Sequence, residues 1–134
     1  MDTAKKSLEP RLRARPLWLS VGWAMVVSVL YLSLAPISIQ VGVEQGDKYL
    51  HALAYAAMML WFSSLYSAST RRLALAVALV GLGIAIEFLQ GLTDYRTFES
   101  ADMVADAIGV CVGWLCAPPR LPNFLSLVER LFHV

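Results

Sequence analysis

The sequence contains 134 residues, of which 58% are hydrophobic and 16% are charged, and its formal net charge is +1. This composition excludes an ordinary soluble domain, because such domains carry more charged residues and fewer apolar ones. We interpret residues 1–134 as a single integral membrane domain, whose expected partner is the lipid bilayer and not nucleic acid.

Four apolar segments of 17 to 20 residues follow one another along the chain. An α-helix rises about 1.5 Å per residue, so these segments cover the roughly 30 Å of bilayer hydrocarbon, the last only just. Lipid offers no partner to unpaired backbone groups, which favours helices joined by short loops. The prediction is an all-α membrane protein, a bundle of four transmembrane helices at residues 17–35, 49–68, 73–92 and 101–117.

Basic residues dominate the predicted N-terminal tail, residues 1–16, which precedes the first apolar segment. A basic tail before an apolar segment also occurs in secretory signals. The first segment is long for such a signal, and Pro36 directly after Ala35 should obstruct cleavage. We therefore expect this segment to be retained as the first transmembrane helix.

The C-terminal tail, residues 118–134, begins with two prolines that interrupt the helical pattern. Apolar residues then recur at helical spacing from Phe124 to Phe132, with Glu129 and Arg130 predicted on the opposite, polar side. This pattern is typical of an amphipathic helix that lies at the membrane interface. We expect it to serve as an anchor, and docking of a partner protein is the alternative.

Charge is distributed unevenly between the two predicted membrane sides. With both termini on one side, that side carries nine of the eleven basic residues, while the opposite side carries seven of the ten acidic residues. The positive-inside rule makes the basic side cytoplasmic. We therefore expect a multi-pass protein with cytoplasmic N- and C-termini.

Polar residues lie near the outer ends of the second and third predicted helices. Asp47, His51 and Tyr55 are spaced i, i+4, i+8, which places them along one stripe of the second helix. Glu87 and Gln90 share a face of the third helix. Apolar neighbours surround Glu87, so its carboxyl should either pair, with His51 or Arg96, or be protonated.

The fourth predicted helix contributes two acids and two glycines to the same end of the bundle. Asp102, Asp106, Gly109 and Gly113 lie on one face, with the acids nearer the outer surface. The glycines, with Gly83 of the third helix across from them, should allow close backbone approach beneath a polar pocket. Because a charge facing lipid is costly, we expect the ionisable groups of the three helices to face one another.

Three pieces of the sequence resemble the VanZ-like family of small bacterial membrane proteins. They are Asp47-Lys48-x-x-His51-x-x-x-Tyr55, Ile86-Glu87-Phe88-Leu89-Gln90, and Arg96-x-x-x-x-x-Asp102-x-x-x-Asp106-x-x-Gly109-x-x-x-Gly113. They span residues 47–113, half of the chain, in the family's order, although Asp106 stands where the family usually has asparagine. The resemblance implies a bacterial plasma-membrane protein that affects the cell envelope, in the founding member by lowering sensitivity to the glycopeptide teicoplanin.

The first functional hypothesis is a pocket at the outer face that binds or acts on a lipid-linked or lipid-anchored envelope molecule. Arg96 and Lys48 would hold a phosphate or carboxylate of the ligand, and His51 and Glu87 would exchange a proton with it. Whether catalysis occurs stays open. The candidate catalytic residues are His51, Glu87, Asp102 and Asp106, and the candidate ligand-binding residues are Asp47, Lys48, Tyr55, Gln90, Arg96 and Ser100.

Two alternatives follow from the same residues. In a metal-dependent variant, Zn²⁺ or Mn²⁺ is held by a mixed nitrogen and oxygen set, although no HExxH-type spacing supports it. The other alternative is a non-catalytic membrane scaffold whose polar cluster only locks three helices together. The ligands of the metal-dependent variant are His51, Glu87, Asp102 and Asp106.

Asp94 and Glu99 are interpreted as solvated loop charges.

Overall fold

The computed structural model describes residues 9–37 and 42–133, and within these ranges it contains five α-helices and no strand. The all-α prediction is confirmed. Predictions that fall on residues 1–8, 38–41 or 134, such as that of the first half of the basic N-terminal tail, lie outside the described residues. The helices are α1, Arg15–Leu34; α2, Gly46–Leu65; α3, Ser69–Gly91; α4, Ser100–Leu115; and α5, Phe124–Phe132.

The four longer helices begin and end within four residues of the four predicted apolar segments. Within the described residues, α1 and α3 are long and apolar enough to cross a membrane, judged by length and composition. Helix α4 has only 16 residues, and α2 carries Asp47, Lys48 and His51 in its first two turns. The prediction of four membrane spans therefore has direct support for two helices.

Large apolar side chains are exposed on every one of these four helices. On α4, for example, Val104, Ile108 and Val112 form one stripe at helical spacing and are 47% to 59% exposed. Exposed apolar surface of this extent occurs where a protein contacts lipid or another protein. Further members of these exposed faces are Trp23, Val27 and Tyr31 on α1, Leu53 on α2, and Leu73, Val77 and Phe88 on α3.

The closest helix contact joins α2 to α4, which share the most extensive interface of the bundle. A Cβ atom added at Gly109 would overlap the backbone carbonyl of Ala52, and one added at Gly113 would overlap that of Ala56. The stripe opposite the α4 glycines is thus Ala52-x-x-x-Ala56 of α2. This is the small-residue contact that membrane helices use to bring backbones together.

Gly83 has a different neighbour from the one predicted. It does not lie across from the α4 glycines, because a Cβ atom added there would be 2.5 Å from Oδ2 of Asp106. The absent side chain leaves room for the buried carboxylate of Asp106. Gly83 therefore makes room for the polar cluster and is not part of the small-residue contact between α2 and α4.

Helix α5 docks on the beginning of α1 through a buried acid. The carboxylate of Glu129 accepts hydrogen bonds from the backbone N–H groups of Arg13 and Ala14, both at 2.9 Å, and from the Trp18 indole at 2.8 Å. Burial opposes ionisation, but these donors outweigh it and hold the pKa of Glu129 below its usual range. Backbone N–H groups at a helix start need an acceptor, and Glu129 supplies it to α1. Glu129 is therefore buried against α1, and its predicted position on the polar side of α5 is wrong.

We expect Gly109→Ala and Gly113→Ala each to lower the thermal stability of the purified protein in detergent. Both substitutions place a Cβ atom against a backbone carbonyl, which cannot move without separating α2 from α4. Overpacking of this kind costs about 1–3 kcal/mol.

The matched control is Gly81→Ala in α3, where an added Cβ meets no atom within 4 Å. Alanine is the better helix former by about 0.5–1 kcal/mol, so this variant should melt at the same temperature or higher. Equal melting temperatures for all three variants would show that the glycine contact does not hold α2 and α4 together.

Candidate functional site

A cleft of about 210 Å³ lies between α1 and α2 at the end of the bundle where α2 begins. One part of its lining is apolar, and the other part is polar and contains His51 and Arg96. The lining of the cleft is therefore amphiphilic, with an apolar part and a polar part. Its lining residues are Val29, Leu32, Ser33, Asp47, Leu50, His51, Ala54, Tyr55, Gln90 and Arg96.

His51 connects this cleft to two aspartates of α4. Its Nδ1 lies 2.9 Å from Oδ1 of Asp106, and its Nε2 lies 3.5 Å from Oδ2 of Asp102. Ala52, the residue next to His51, is one of the two that contact the α4 glycines. The close α2–α4 contact thus fixes the register that brings the imidazole to the carboxylates, as the predicted convergence of the helices requires.

Lys48 lies among three carboxylates at the rim of the site. Its Nζ is 2.6 Å from Glu99, 2.9 Å from Asp47 and 3.1 Å from Asp102. Glu99 is an exposed loop residue, in agreement with its interpretation as a solvated charge, but it is also part of this ion-pair cluster. Asp94 is exposed, in agreement with its interpretation as a solvated charge.

Glu87 pairs with neither of its two predicted partners. The side chain is fully buried, Oε1 accepts a 2.6 Å hydrogen bond from the backbone N–H of Glu99, and Oε2 has no partner within the described residues. The buried hydroxyl of Tyr55, in the cleft lining, likewise has no partner there. Buried polar atoms without partners are costly, and of these two the Tyr55 hydroxyl belongs to the lining of the cleft, whereas Glu87 does not.

Arg96 and Gln90 bind the end of α1 at the cleft. The Arg96 guanidinium donates to the carbonyl of Ile37 at 2.6 Å, and Gln90 donates to the carbonyl of Ser33 at 2.8 Å. The last carbonyls of a helix lack intrahelical partners, which explains why polar side chains collect there. Arg96 therefore lines the cleft, but its guanidinium is already used by backbone oxygens.

The remaining predicted site residue, Ser100, is exposed at the first position of α4 and does not line the cleft. Sequence reasoning missed Glu99 and the α1 wall of the cleft, formed by Val29, Leu32 and Ser33. The apolar residues of α1 carry no chemical signal in the sequence. Glu99 gave only one weak signal, its position directly before α4.

The carboxylates that come close enough to share a cation are not the set predicted for a metal. Oxygen atoms of Asp47, Glu99 and Asp102 lie within 4.8 Å of one another, whereas the predicted set included His51 and Glu87. The ammonium of Lys48 already lies among these oxygens and neutralises part of their charge. The chain thus supplies its own cation at the position where carboxylates would otherwise favour a divalent ion.

These features define a small helical protein with an apolar exterior and a convergent ionisable cluster at one end. The chain belongs to the VanZ/LLP1 family, whose model matches residues 8–125, and with its two apolar helices it is a membrane protein. It is 30% identical over 116 residues to an uncharacterized protein of Schizosaccharomyces pombe, with 84% of this chain and 66% of that protein covered. The chain thus spans just under two thirds of that relative's length, and no solved structure matches it.

We expect Lys48→Gln to create a response to divalent cations that the unmodified protein lacks. Removal of the ammonium leaves three carboxylates with uncompensated repulsion, so the variant should melt at a lower temperature and Mn²⁺ should restore part of the loss. Thermal unfolding in detergent with and without Mn²⁺ measures this effect.

The double variant Lys48→Gln/Glu99→Gln is the control, because it lacks one of the three carboxylate charges and should respond less to Mn²⁺. Equal stabilisation of the unmodified protein by Mn²⁺ would contradict the interpretation that Lys48 takes the place of a metal ion.

Proposed function

We propose that this VanZ-like protein binds a lipid-linked or lipid-anchored envelope molecule in the cleft between α1 and α2. The amphiphilic lining of the cleft carries the proposal. Leu50 and Ala54 of α2 and Val29 of α1 offer an apolar wall for a hydrocarbon chain, while His51 offers a polar end for a head group. A cleft with this distribution of polarity favours a ligand that is itself part hydrocarbon and part polar.

Four membrane spans are part of the proposal. Exposed apolar faces on all four long helices support it, because lipid is the surrounding that makes such faces favourable. Helix α4 is about 24 Å long at 1.5 Å per residue, so a span there requires local thinning of the bilayer. The polar residues at the ends of α2 and α4 would then lie at the interface and not at the bilayer centre.

The charges of the site favour a head group that donates hydrogen bonds. Lys48 and Arg96 were predicted to hold a phosphate, but the first contacts three carboxylates and the second donates to backbone carbonyls. Five acids outnumber these two permanent cations and His51. Hydroxyl or amine groups, such as those of a sugar, suit this acidic surrounding better than a free phosphate. The acids are Asp47, Glu87, Glu99, Asp102 and Asp106.

Proton transfer to or from the bound molecule is a second candidate function. The 2.9 Å contact between His51 and Asp106 is the observation that favours it, because a carboxylate that orients an imidazole is a frequent feature of general bases. The same contact also serves the rival interpretation, a scaffold in which the polar cluster only locks α2, α3 and α4 together. Mutations at the cluster and in the cleft separate these interpretations.

Filling the cleft should remove the ligand. We expect Ala54→Phe to reduce the amount of lipid-linked molecule that copurifies with the protein, measured by mass spectrometry of extracted lipids. Leu53→Phe is the matched control, because Leu53 is 68% exposed and does not line the cleft. Equal lipid content in both variants would contradict binding in the cleft.

Substitutions in the ionisable cluster distinguish a functional site from a structural lock. In a functional site, His51→Ala or Glu87→Gln abolishes an envelope phenotype, such as altered glycopeptide susceptibility, while protein abundance and melting temperature change little. In a lock, removing one partner of a buried charged pair costs about 3–5 kcal/mol, and abundance falls together with the phenotype. Asp106→Asn restores the family's usual residue and keeps an acceptor for His51, so it should be harmless to ligand binding and packing, whereas a proton-transfer activity that needs the Asp106 carboxylate should be lost.

The proposed orientation places the cleft at the outer face of a bacterial plasma membrane and both termini in the cytoplasm. The excess of basic residues on the side of the termini supports it. We expect single cysteines at Glu44 or Arg96, in a chain without Cys111 and Cys116, to react with an impermeant reagent in intact cells. Labelling of terminal positions alone would reverse the orientation.

A further inference from the structure

A second cavity, of about 500 Å³, lies at the opposite end of the bundle, where α5 docks beside the start of α1. Two arginines that precede α1 and four residues of the α5 segment enclose it. Nothing in the proposed function uses this end of the molecule. Its lining residues are Arg11, Arg13, Ser126, Glu129, Arg130 and His133.

The one acid of this lining, Glu129, is held in place by hydrogen bonds. Both oxygens of Glu129 accept hydrogen bonds, from the backbone N–H groups of Arg13 and Ala14 and from the Trp18 indole. Donors at a helix start compensate a carboxylate well. The cavity keeps a net positive charge, because three arginines line it together with this one carboxylate, which also interacts with Arg13.

Other basic residues at this end are committed to contacts within the protein. Arg15 and Arg71 pair with Glu9 at 3.3 Å and 2.8 Å, and the buried Arg72 donates to three backbone carbonyls. These three guanidinium groups hold the helices together. They are therefore unavailable to an external anion without loss of structural contacts.

The arginines of the cavity differ in this respect. Within residues 9–37 and 42–133, no ion pair or side-chain hydrogen bond involves the guanidinium groups of Arg11, Arg13 or Arg130, and all three are exposed. Three arginines against one carboxylate leave the cavity with positive charge in excess, which favours a further anion. Guanidinium groups match phosphate oxygens in geometry as well as in charge.

An apolar surface borders the cavity. Leu127, Leu131 and Phe132 of α5 are 50% to 72% exposed, and each lies next to a lining residue along the helix. An anion with hydrocarbon chains would contact both surfaces at once. A water-soluble anion would use only the arginines.

We propose that this cavity binds the phosphate of an anionic phospholipid head group, with Arg11, Arg13 and Arg130 around the phosphate and the exposed face of α5 against the acyl chains. This site is separate from the cleft, since it lies at the other end of the bundle. The proposal holds whichever side of the membrane this end faces. It assigns α5 a specific lipid contact in addition to its docking on α1.

The test uses the full chain purified in a neutral detergent, so that no charged bilayer surface contributes to the result. Melting temperature is measured against increasing dihexanoyl phosphatidylglycerol, with dihexanoyl phosphatidylcholine and inorganic phosphate as comparisons. We expect stabilisation by the anionic lipid and much weaker effects of the other two. An equal effect of phosphatidylcholine would overturn the requirement for negative charge, and an equal effect of inorganic phosphate would assign the cavity to a soluble anion.

The site is mapped with two charge-matched double variants. Arg11→Gln/Arg130→Gln should lower the affinity for the anionic lipid roughly 30-fold, because each arginine near an anionic lipid contributes about 1 kcal/mol of binding free energy. Arg71→Gln/Arg120→Gln removes the same charge from residues outside the cavity lining, at the cost of the exposed Arg71–Glu9 ion pair, and should leave the affinity nearly unchanged. Equal losses of affinity in the two variants would show that the lipid is attracted by the general positive charge of this end and not by the cavity. If the first variant does not fold, Arg13→Gln tests the same cavity by a single substitution.

Discussion

The contact between the backbones of α2 and α4 is the constraint on which the site depends. Gly109 and Gly113 have no side chains to separate the helices, and Ala52 and Ala56 present backbone carbonyls directly to them. The approach fixes both the distance between the helices and their register. His51, which precedes Ala52, is therefore held against the α4 carboxylates, and the ionisable cluster is a geometric result of the small-residue contact.

The sequence predicted the helices and the convergence of polar groups better than it predicted individual partners. Apolar runs of fixed length and the i, i+4 spacing of Asp47 and His51 depend only on helix geometry. The role of Glu99 depends on the path of the loop before α4, which no periodicity encodes. Likewise, helical spacing placed Glu129 on one side of α5 but gave no information about the start of α1 opposite it.

Charged groups are paired differently at the two ends of the bundle. At the cleft end, carboxylates outnumber cations, and the fold brings Lys48 and His51 among them. At the other end, buried carbonyls and Glu9 engage some arginines, while those around the second cavity keep their charge exposed. The net charge of +1 therefore results from two opposed, locally concentrated charge distributions.

Glu99 joins the surface of the molecule to its interior. Its carboxylate is held by Lys48 at the exposed rim, while its own backbone N–H is the hydrogen-bond donor to the fully buried Glu87. A ligand that drew Lys48 away from Glu99 would also loosen the segment that covers Glu87. Occupancy of the rim and opening of the buried carboxyl to water would then be coupled through Glu99.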